Sequence, residues 1–284
     1  MKTILLVVLS VSILNNVNAQ ATVKDVDTLN SIKPTSLLIA GHRGGYDTSL
    51  PENSFALFDS TISRVSNLPV ALEFDIRESA SGNLFLMHDP EVDRTTGGHG
   101  LVSALTDSLI GTLSLKDRND SLTRHKVPSF TELLRRYRDR NVILMLDVKG
   151  DIYSRVFEQV KLFEMEDRCI ILTFNLKDLK MARDLTTEMR ISALVTSEEM
   201  WELVKSACIP PSRLIAYITN QTPENVVHLI RKEKTLVMTD MNETTTNRNK
   251  PFEPEYYTEI LKIMQPDILI TDYPVFVSQH FFGK

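Results

Sequence analysis

Short apolar runs recur along the chain, and segments with a helical period separate most of them. The runs are dense in Val, Ile and Leu and do not alternate with polar residues, which is typical of parallel strands covered on their outer face. Between the runs, the apolar spacing after Pro-Glu-Asn at 51–53 predicts a helix, and Ser129 with Glu132 predicts a capping box. The predicted strands are 37–40, 70–76, 84–88, 142–148, 169–174, 191–195, 213–218, 235–239 and 267–271.

Repeated strand–helix units favour an α/β fold, an irregular (β/α)8 TIM barrel that covers residues 37–284. Nine predicted strands compete for eight places, so one of them is wrong or lies outside the barrel. The link from Ile76 to Leu84 is too short for a crossover helix, which makes the barrel irregular there. Residues 89–128, after the third strand, are polar and rich in turn residues, and we interpret them as an insertion. The alternative is an open doubly wound sheet, but no glycine-rich dinucleotide fingerprint follows the first strand.

Residues 1–19 have the three parts of a secretory signal peptide. Lys2 supplies the positive charge, residues 4–14 form the apolar core, and Val17-Asn18-Ala19 fits a cleavage site after Ala19. The apolar core is too short to span a bilayer comfortably, so we favour export, to the periplasm or the medium, over an uncleaved membrane anchor. Residues 20–36 then form a polar lead-in, and we expect no stable membrane anchor.

The net charge of −5 limits the classes of partner. A nucleic-acid-binding domain is normally basic, so we expect no nucleic-acid partner. An acidic total still allows a small phosphate-bearing substrate, because the charge around the site decides that. The two cysteines, Cys169 and Cys208, are compatible with a disulfide in an exported protein, but we favour two buried free thiols.

Ionisable side chains lie on the inward face of two predicted strands, near their carboxyl ends. Side chains alternate along a strand, so Glu73 and Asp75 share one face while the apolar residues between and around them point the other way. Asp147 and Lys149 share a face at the end of another strand in the same manner. The carboxyl ends of the strands form the face of a TIM barrel where active sites lie, so the sequence predicts a site there.

Two other predicted strands end on histidines, His42 and His88, and Arg43 follows the first. Histidine takes up or releases a proton near neutral pH, so the pair suits acid–base catalysis. Three converging carboxylates would repel one another, and a hard divalent cation such as Mg²⁺ or Ca²⁺ would remove that repulsion. The alternative is a set of ordinary salt bridges, Glu73 or Asp147 with Arg43 or Lys149. Because charged side chains are rarely buried, their joint position at strand ends favours a site.

The ordered set of these residues resembles the glycerophosphodiester phosphodiesterase family, a group of PI-PLC-like phosphodiesterase barrels. The resemblance covers residues 37–275, and its motifs are short but their order is specific. The matching motifs are His42-Arg43-Gly44, Pro51-Glu52-Asn53, Glu73-Phe74-Asp75, His88-Asp89, Arg94-Thr95-Thr96-Gly97, Asp147-Val148-Lys149 and Thr271-Asp272-Tyr273-Pro274.

The resemblance implies a metal-dependent hydrolysis of glycerophosphodiesters to glycerol 3-phosphate and an alcohol. His42 and His88 would be the catalytic acid and base, Arg43 would hold the substrate phosphate, and Lys149 would help neutralise its charge. The substrate would be a small-molecule phosphodiester and the cofactor a divalent metal, Mg²⁺ or Ca²⁺. The implied metal ligands are Glu73, Asp75 and Asp147.

The chain departs from the family pattern in two places that bear on the metal and the substrate. The third carboxylate is Asp147 where the family usually has Glu, and Asp-x-Lys at this place also resembles the spider-toxin-type phospholipases D. The late Trp-Thr-x-Asn signature of the family is replaced by Val-Met-Thr-Asp-Met-Asn at 237–242. Two alternatives therefore stay open: a phospholipase D-like enzyme acting on lysophospholipid or sphingophospholipid, and a catalytically dead binding barrel.

Two acidic residues beside these motifs have open roles. Asp89 either orients the ring of His88 or serves the turn at Pro90. We expect Glu52 to support its loop or the start of the following helix, where a negative charge is favourable, in preference to ligating a metal.

Overall fold

The apolar runs of the sequence form strands. The computed structural model describes residues 37–283 apart from 242, 248 and 249, so the predicted signal peptide, 1–19, and lead-in, 20–36, lie outside the described residues. The described strands are β1 (Leu38–Gly41), β2 (Val70–Glu78), β3 (Leu84–Leu86), β4 (Ser114–Lys116), β5 (Leu122–Lys126), β6 (Ile143–Val148), β7 (Cys169–Thr173), β8 (Arg190–Leu194), β9 (Leu214–Ile218), β10 (Leu236–Asp240) and β11 (Ile268–Thr271).

Eight of these strands run parallel and close into a barrel. Their order around it is β1, β2, β6, β7, β8, β9, β10 and β11, and β11 pairs with β1 to complete the circle. This is the (β/α)8 TIM barrel that the recurrence of strand and helix predicts. The alternative of an open doubly wound sheet is wrong, because the first and last strands are hydrogen-bonded to each other.

The ninth predicted strand lies outside the barrel. β3 pairs antiparallel with the end of β2, with Ile76 opposite Leu86 and Glu78 opposite Leu84. The link between them holds only residues 79–83, which is enough for a turn and too short for a crossover helix. The irregular part of the barrel is this hairpin, and the next barrel strand along the chain is β6.

Helices follow most of the barrel strands and cover the outside of the sheet. The described helices are α1 (Phe55–Arg64), α2 (Asp107–Thr112), α3 (Phe130–Tyr137), α4 (Tyr153–Leu162), α5 (Leu176–Leu185), α6 (Glu198–Lys205), α7 (Glu224–Lys232), α8 (Glu243–Thr246), α9 (Pro254–Met264) and α10 (Pro274–Phe282). α3 begins with the predicted capping box, in which Ser129 and Glu132 each accept the backbone N–H of the other. Within the described part of the chain, no helix is long and apolar enough to cross a membrane.

Two layers of apolar side chains stabilise the barrel. Alternate strand residues point outward, where Leu72, Phe74 and Ile76 of β2 join an apolar layer with helix residues such as Phe58 and Phe130. The intervening residues point inward and fill the barrel, so Glu73 and Asp75 of β2 lie in its interior. The inner layer contains Leu38, Ala40, Ala71, Ile143, Met145, Ile170, Leu172, Ile215, Tyr217, Met238, Ile268 and Ile270.

Residues 89–128 lie between β3 and α3 and carry α2 and the antiparallel pair β4–β5. An apolar cluster of its own, separate from the two barrel layers, lies beneath this segment. The cluster begins in β3 and continues through the segment to the residue before Pro128. Its buried members are Phe85, Met87, Val92, Val102, Ile110, Leu115 and Val127.

Both cysteines are free thiols. Cys169 is buried at the start of β7, as predicted. Cys208 is exposed, so the prediction of two buried thiols is wrong for this residue. It lies in the turn that leaves α6, where its neighbours Ala207 and Ile209 occupy the core instead.

Candidate active site

Three carboxylates meet inside the carboxyl end of the barrel. Glu73 and Asp75 lie two residues apart on β2 and therefore share its inner face. Asp147 on β6 lies directly opposite Asp75 in the parallel register. Each of the three offers an oxygen, and these oxygens all lie within 4.8 Å of one another. The structure thus brings together the three residues predicted to be metal ligands.

Burial and mutual repulsion oppose full ionisation of this cluster. Burial, followed by the charge of Asp75, raises the pKa of Glu73 to about 8, although His42 partly offsets both. Burial also raises the pKa of Asp147, against the opposing charge of Lys149. A cation between the carboxylates would stabilise their ionised form. The donors are all hard oxygens, so the cluster fits Mg²⁺ or Ca²⁺.

Two basic side chains border the same cluster. Lys149 Nζ lies 3.0 Å from Asp75 Oδ1 and 2.5 Å from Asp147 Oδ2. Arg43 Nε lies 3.7 Å from Asp75 Oδ2, and the Arg43 backbone N–H donates to Glu73 Oε2 at 2.6 Å. Of the salt bridges considered as the alternative interpretation, the pair of Asp147 with Lys149 is present, and both cations also pair with Asp75. Arg43 also pairs with Glu52, so it shares its charge between the cluster and that carboxylate.

Asn53 holds Asp75 in place from the loop between β1 and α1. Its Nδ2 donates to Asp75 Oδ2 at 2.9 Å, and its Oδ1 accepts the Asp75 backbone N–H at 3.3 Å. Asn53 has a φ of 53°, a left-handed conformation that Asn adopts more readily than most residues. The Pro-Glu-Asn motif thus fixes one carboxylate of the cluster.

His42 stands at the carboxyl end of β1, where Asp272 holds its ring. His42 Nδ1 lies 2.8 Å from Asp272 Oδ1, and Asp272 directly follows β11, the neighbouring strand. Burial lowers the pKa of His42, but the hydrogen bond to Asp272 and the charge of Glu73 outweigh it and raise the pKa to about 9. This arrangement therefore favours the protonated ring at neutral pH.

A sharp turn on two glycines follows His42 and Arg43. Gly44 has a φ of 94° and Gly45 a φ of 112°, conformations that residues with a Cβ rarely adopt. A Cβ on Gly44 would lie 2.4 Å from a ring carbon of Phe58 on α1. Glycine at this position allows α1 to pack directly against the turn that carries His42 and Arg43.

His88 follows β3, and Asp89 holds its ring. His88 Nδ1 lies 2.7 Å from Asp89 Oδ1, so of the two interpretations of Asp89, orientation of the ring agrees with the geometry. Arg94 in turn donates to Asp89 Oδ2 from Nε at 2.6 Å and to Asp89 Oδ1 from Nη2 at 3.2 Å. Burial raises the pKa of Asp89, but the hydrogen bonds from Arg94 and His88 outweigh it and hold the pKa well below its usual range.

Glu52 lies at the centre of three arginines. It accepts hydrogen bonds from Arg43 at 3.1 Å and from Arg94 at 3.0 and 2.7 Å, and Arg118 Nη1 lies 2.9 Å from its Oε2. Burial opposes ionisation, but the three arginines outweigh it and lower the pKa of Glu52 to about 2. Of the two roles expected of Glu52, support of its loop agrees with these contacts, while Ser54 caps α1. Glu52 thereby ties its loop to the segment 89–128.

The structure places three residues at or opposite the site to which the sequence assigned no role. Asp272 belongs to a motif at the end of the last strand, and that position was the available signal. Arg118 lies between β4 and β5, where no motif marks it. Tyr217 on β9 points inward and donates to Asp240 Oδ2 at 2.9 Å, but an apolar run gives no sign of such a contact.

Comparison with known proteins places this geometry in a family. The family model described as the glycerophosphoryl diester phosphodiesterase family matches residues 42–275. The chain belongs to this family. The match begins at His42 and ends just after the Asp272 motif, so it contains every residue of the site described above.

Individual relatives agree with the family match. A glycerophosphodiester phosphodiesterase of Caldanaerobacter subterraneus is 25% identical over 164 residues, which cover 55% of this chain and 66% of that protein. The chain thus spans about two thirds of the length of this curated relative.

Solved structures share the fold. A glycerophosphoryl diester phosphodiesterase from Parabacteroides distasonis superposes with a TM-score of 0.78 at 24% identity, covering 89% of this chain and 92% of that one. A phosphodiesterase of Oleispira antarctica, solved in complex with the product sn-glycerol-3-phosphate, superposes with a TM-score of 0.65 at 17% identity and covers 85% and 95% of the two chains.

Proposed function

We propose that this chain hydrolyses glycerophosphodiesters to glycerol 3-phosphate and an alcohol, with a divalent metal as cofactor. The proposal rests on one observation: three carboxylates, two carboxylate-held histidines and two basic side chains meet at one end of the barrel. Displacement at a phosphodiester needs cations for its oxygens and proton carriers for the attacking and leaving oxygens. Membership of the family supports the same reaction, as does the product bound to the Oleispira phosphodiesterase.

The proposed metal ligands are Glu73, Asp75 and Asp147. A bound Mg²⁺ or Ca²⁺ would supply positive charge to the phosphoryl oxygens, on which negative charge collects during displacement. Arg43 and Lys149, which border the carboxylates, would bind the same phosphate and orient it.

The two histidines carry the protons in this proposal. Asp272 and Asp89 each occupy the Nδ1 side of one ring, and an ionised carboxylate accepts a hydrogen bond, so Nδ1 carries hydrogen in both. Nε2 of each ring is then the nitrogen that gives or takes a proton at the substrate. Both aspartates thus orient the histidines in the manner of the third member of a catalytic triad.

The nucleophile in this proposal is the free glycerol hydroxyl next to the phosphate. One histidine takes its proton while the other protonates the leaving alcohol, which yields a cyclic phosphate and the free alcohol. Water then opens the cyclic phosphate to glycerol 3-phosphate, with the histidines in reversed roles. A diester without the neighbouring hydroxyl should resist cleavage, and cleavage of it at an equal rate would exclude the cyclic route.

The primary test is release of glycerol 3-phosphate from glycerophosphocholine and glycerophosphoethanolamine in EDTA, Mg²⁺ or Ca²⁺. We expect metal-dependent release that is lost in His42→Ala and in His88→Ala. Release of glycerol 3-phosphate that persists in EDTA would contradict the proposed metal dependence. Release in both histidine variants would contradict the proposed acid–base roles of His42 and His88. Tight binding of these diesters without turnover under any condition would favour the binding barrel instead.

A second candidate, cleavage of lysophospholipid or sphingophospholipid, is favoured by exposed apolar side chains near the site. Phe174 follows β7 at its carboxyl end and is 44% exposed, and Leu122, which starts β5 beside the Arg118 turn, is 62% exposed. Such side chains would contact an acyl chain. Faster cleavage of long-chain lysophosphatidylcholine than of glycerophosphocholine would support this candidate, and the reverse order would support the first.

We propose further that the chain is exported and cleaved after Ala19. The supporting features are Lys2, the apolar residues 4–14 and the small-residue pattern at 17–19. The mass of the protein recovered from a secreting host tests this. A mature chain that begins at Gln20 is expected, and a retained Met1 would contradict it.

A further inference from the structure

A cavity opens at the carboxyl ends of β8, β9 and β10, beside the start of α9. Its volume is about 630 Å³, within the range of small-molecule sites. Tyr217 and Asp240 form its inner wall, and Phe252, Glu253 and Tyr256 form its outer wall. None of these residues takes part in the chemistry described above.

The cavity faces the carboxylate cluster across the mouth of the barrel. In the circle of eight barrel strands, β9 is four positions from β2, and β10 is four positions from β6. The strands that line the cavity therefore lie on the opposite side of the barrel from the strands that carry the carboxylates. Tyr217 belongs to the inner layer of the barrel together with Met145 and Leu172. Burial and the neighbouring Asp240 raise the pKa of Tyr217 most, and the charges of Glu73 and Asp147 raise it further. The cavity wall is therefore within the electrostatic reach of the site.

The two sides of the mouth differ in charge. Glu52 and its three arginines lie on the side of β1, β2 and the segment 89–128. The cavity, in contrast, is lined by two carboxylates, Asp240 and Glu253, and no Lys, Arg or His is present among its described lining residues.

Aromatic rings complete the cavity wall. The rings of Phe252 and Tyr256 lie 4.5 Å apart between centroids, and Tyr217 presents a third ring from β9. Aromatic faces together with carboxylates are the surroundings that bind substituted ammonium groups in proteins. A neutral glycerol arm, by comparison, has hydroxyl groups and no charge for this lining to recognise.

We propose that this cavity is the subsite for the leaving alcohol, and that it selects alcohols with a positively charged nitrogen over neutral ones. The inference rests on the proposed phosphodiesterase activity, because that activity places the substrate phosphate at the carboxylate cluster. The glycerol and the leaving alcohol, which are both esterified to that phosphate, must then each have a place in the mouth of the barrel. The phosphate lies toward Arg43 and Lys149, and the cationic arm extends across the mouth to Asp240.

Asp240→Asn tests the selectivity with little change of shape. The amide oxygen of Asn can still accept the hydrogen bond from Tyr217, so the substitution removes mainly the negative charge. We expect kcat/KM for glycerophosphocholine to fall about tenfold, while kcat/KM for glycerophosphoglycerol, whose alcohol is neutral, changes less than about threefold. Glu253→Gln, at an exposed position, should shift the same ratio in the same direction by a smaller factor.

The matched control is Asp139→Asn. Asp139 is exposed in the loop before β6, at the opposite end of the barrel, and its substitution changes the net charge by the same amount. The ratio of the two kcat/KM values should stay as in the wild type. If the ratio of kcat/KM for glycerophosphocholine to kcat/KM for glycerophosphoglycerol is the same in Asp240→Asn, Glu253→Gln and Asp139→Asn, the proposed selectivity is wrong. An equal fall in kcat/KM for both substrates in Asp240→Asn would also contradict it.

Titration with choline chloride separates this inference from the proposed activity. Calorimetry should detect choline binding to the wild type and to Asp139→Asn, and weaker binding to Asp240→Asn, whether or not any diester is turned over. Choline binding without turnover of either diester would refute the proposed function, and with it the leaving-alcohol role, and would leave the cavity as a binding site for a cationic nitrogen. Turnover of both diesters without choline binding, at concentrations up to the solubility limit, would refute the cavity assignment alone.

Discussion

Arg94 supports Asp89, the residue of the segment 89–128 that holds the proposed catalytic histidine. It donates to both oxygens of Asp89 and to both oxygens of Glu52, and Asp89 holds His88. In Arg94→Ala the aspartate loses two charge-assisted hydrogen bonds, so the ring of His88 should be less well oriented. We expect kcat to fall about tenfold or more with little change in KM, measured on glycerophosphocholine.

Arg118 offers the control for this prediction. Its Nη1 lies 2.9 Å from Glu52 Oε2, and its contacts with Glu52 and with the ring of Tyr46 do not involve Asp89. Arg118→Ala should therefore lower thermal stability and leave kcat closer to the wild type than Arg94→Ala does. An equal loss of kcat in both variants would mean that Arg94 acts through Glu52 and not through His88.

Glu52 should make the stability of the protein depend on acid. Its pKa is about 2 in the folded chain and 4.5 ordinarily, so its stabilising contribution is fully present above 4.5 and is lost as the pH falls toward 2. The contribution at neutral pH is on the order of 3 kcal/mol. Urea unfolding of the wild type and Glu52→Gln at pH 7 and pH 3 measures it. The two proteins should differ more at pH 7 than at pH 3, and a constant difference would contradict the assignment.

Among the elements, the turn between β1 and α1 depends most on a single residue. Gly44→Ala introduces a Cβ at a φ of 94° and 2.4 Å from the ring of Phe58. Strain and overpacking together should cost about 2–4 kcal/mol, measured as a lower free energy of unfolding. Gly150→Ala is the control, because its φ is 119° but nothing lies within 4 Å of the added Cβ. A loss as large in Gly150→Ala would show that backbone strain accounts for the whole effect.

The elements that the sequence predicts are those whose residues are buried on both sides. All nine predicted strands exist, because strands dense in Val, Ile and Leu form only where both faces are covered. β4 and β5 were not predicted, since β5 alternates between exposed and half-buried residues and carries mostly polar side chains. The sequence also does not predict that β3 runs antiparallel to β2, because an apolar strand of this kind suits a parallel and an antiparallel pair equally well.

The same distinction applies to the site. Glu73, Asp75 and Asp147 are readable from the sequence because alternation along a strand fixes which way they point. The partners of the histidines differ: Asp89 is adjacent to His88, whereas Asp272 is 230 residues from His42 and reaches it only because β11 closes the barrel on β1. Arg118 meets Glu52 through tertiary packing alone, and no local pattern encodes such a contact.

For the whole molecule, the carboxylate cluster should couple metal binding to thermal stability. A ligand that binds only the folded state stabilises it by about 2.7 kcal/mol at a hundredfold excess over Kd. The melting temperature of the wild type should therefore rise by several degrees in Mg²⁺ or Ca²⁺ and return in EDTA. Asp147→Asn should lose this rise, and Asp139→Asn should keep it. An absence of any rise with either cation would contradict the proposed metal site without reference to activity.

The apolar cluster beneath residues 89–128 has a consequence for how relatives of this chain can diverge. The segment packs around an apolar cluster of its own, and it contacts the barrel loops through ion pairs on Glu52 and through Asp89 on His88. Because it has its own apolar cluster, we expect the segment to tolerate changes of length and surface while the eight-stranded barrel stays the same. Grafting the segment from a relative, with Asp89, Arg94 and Arg118 kept, should transfer that relative's substrate preference and leave the reaction at the carboxylate cluster unchanged.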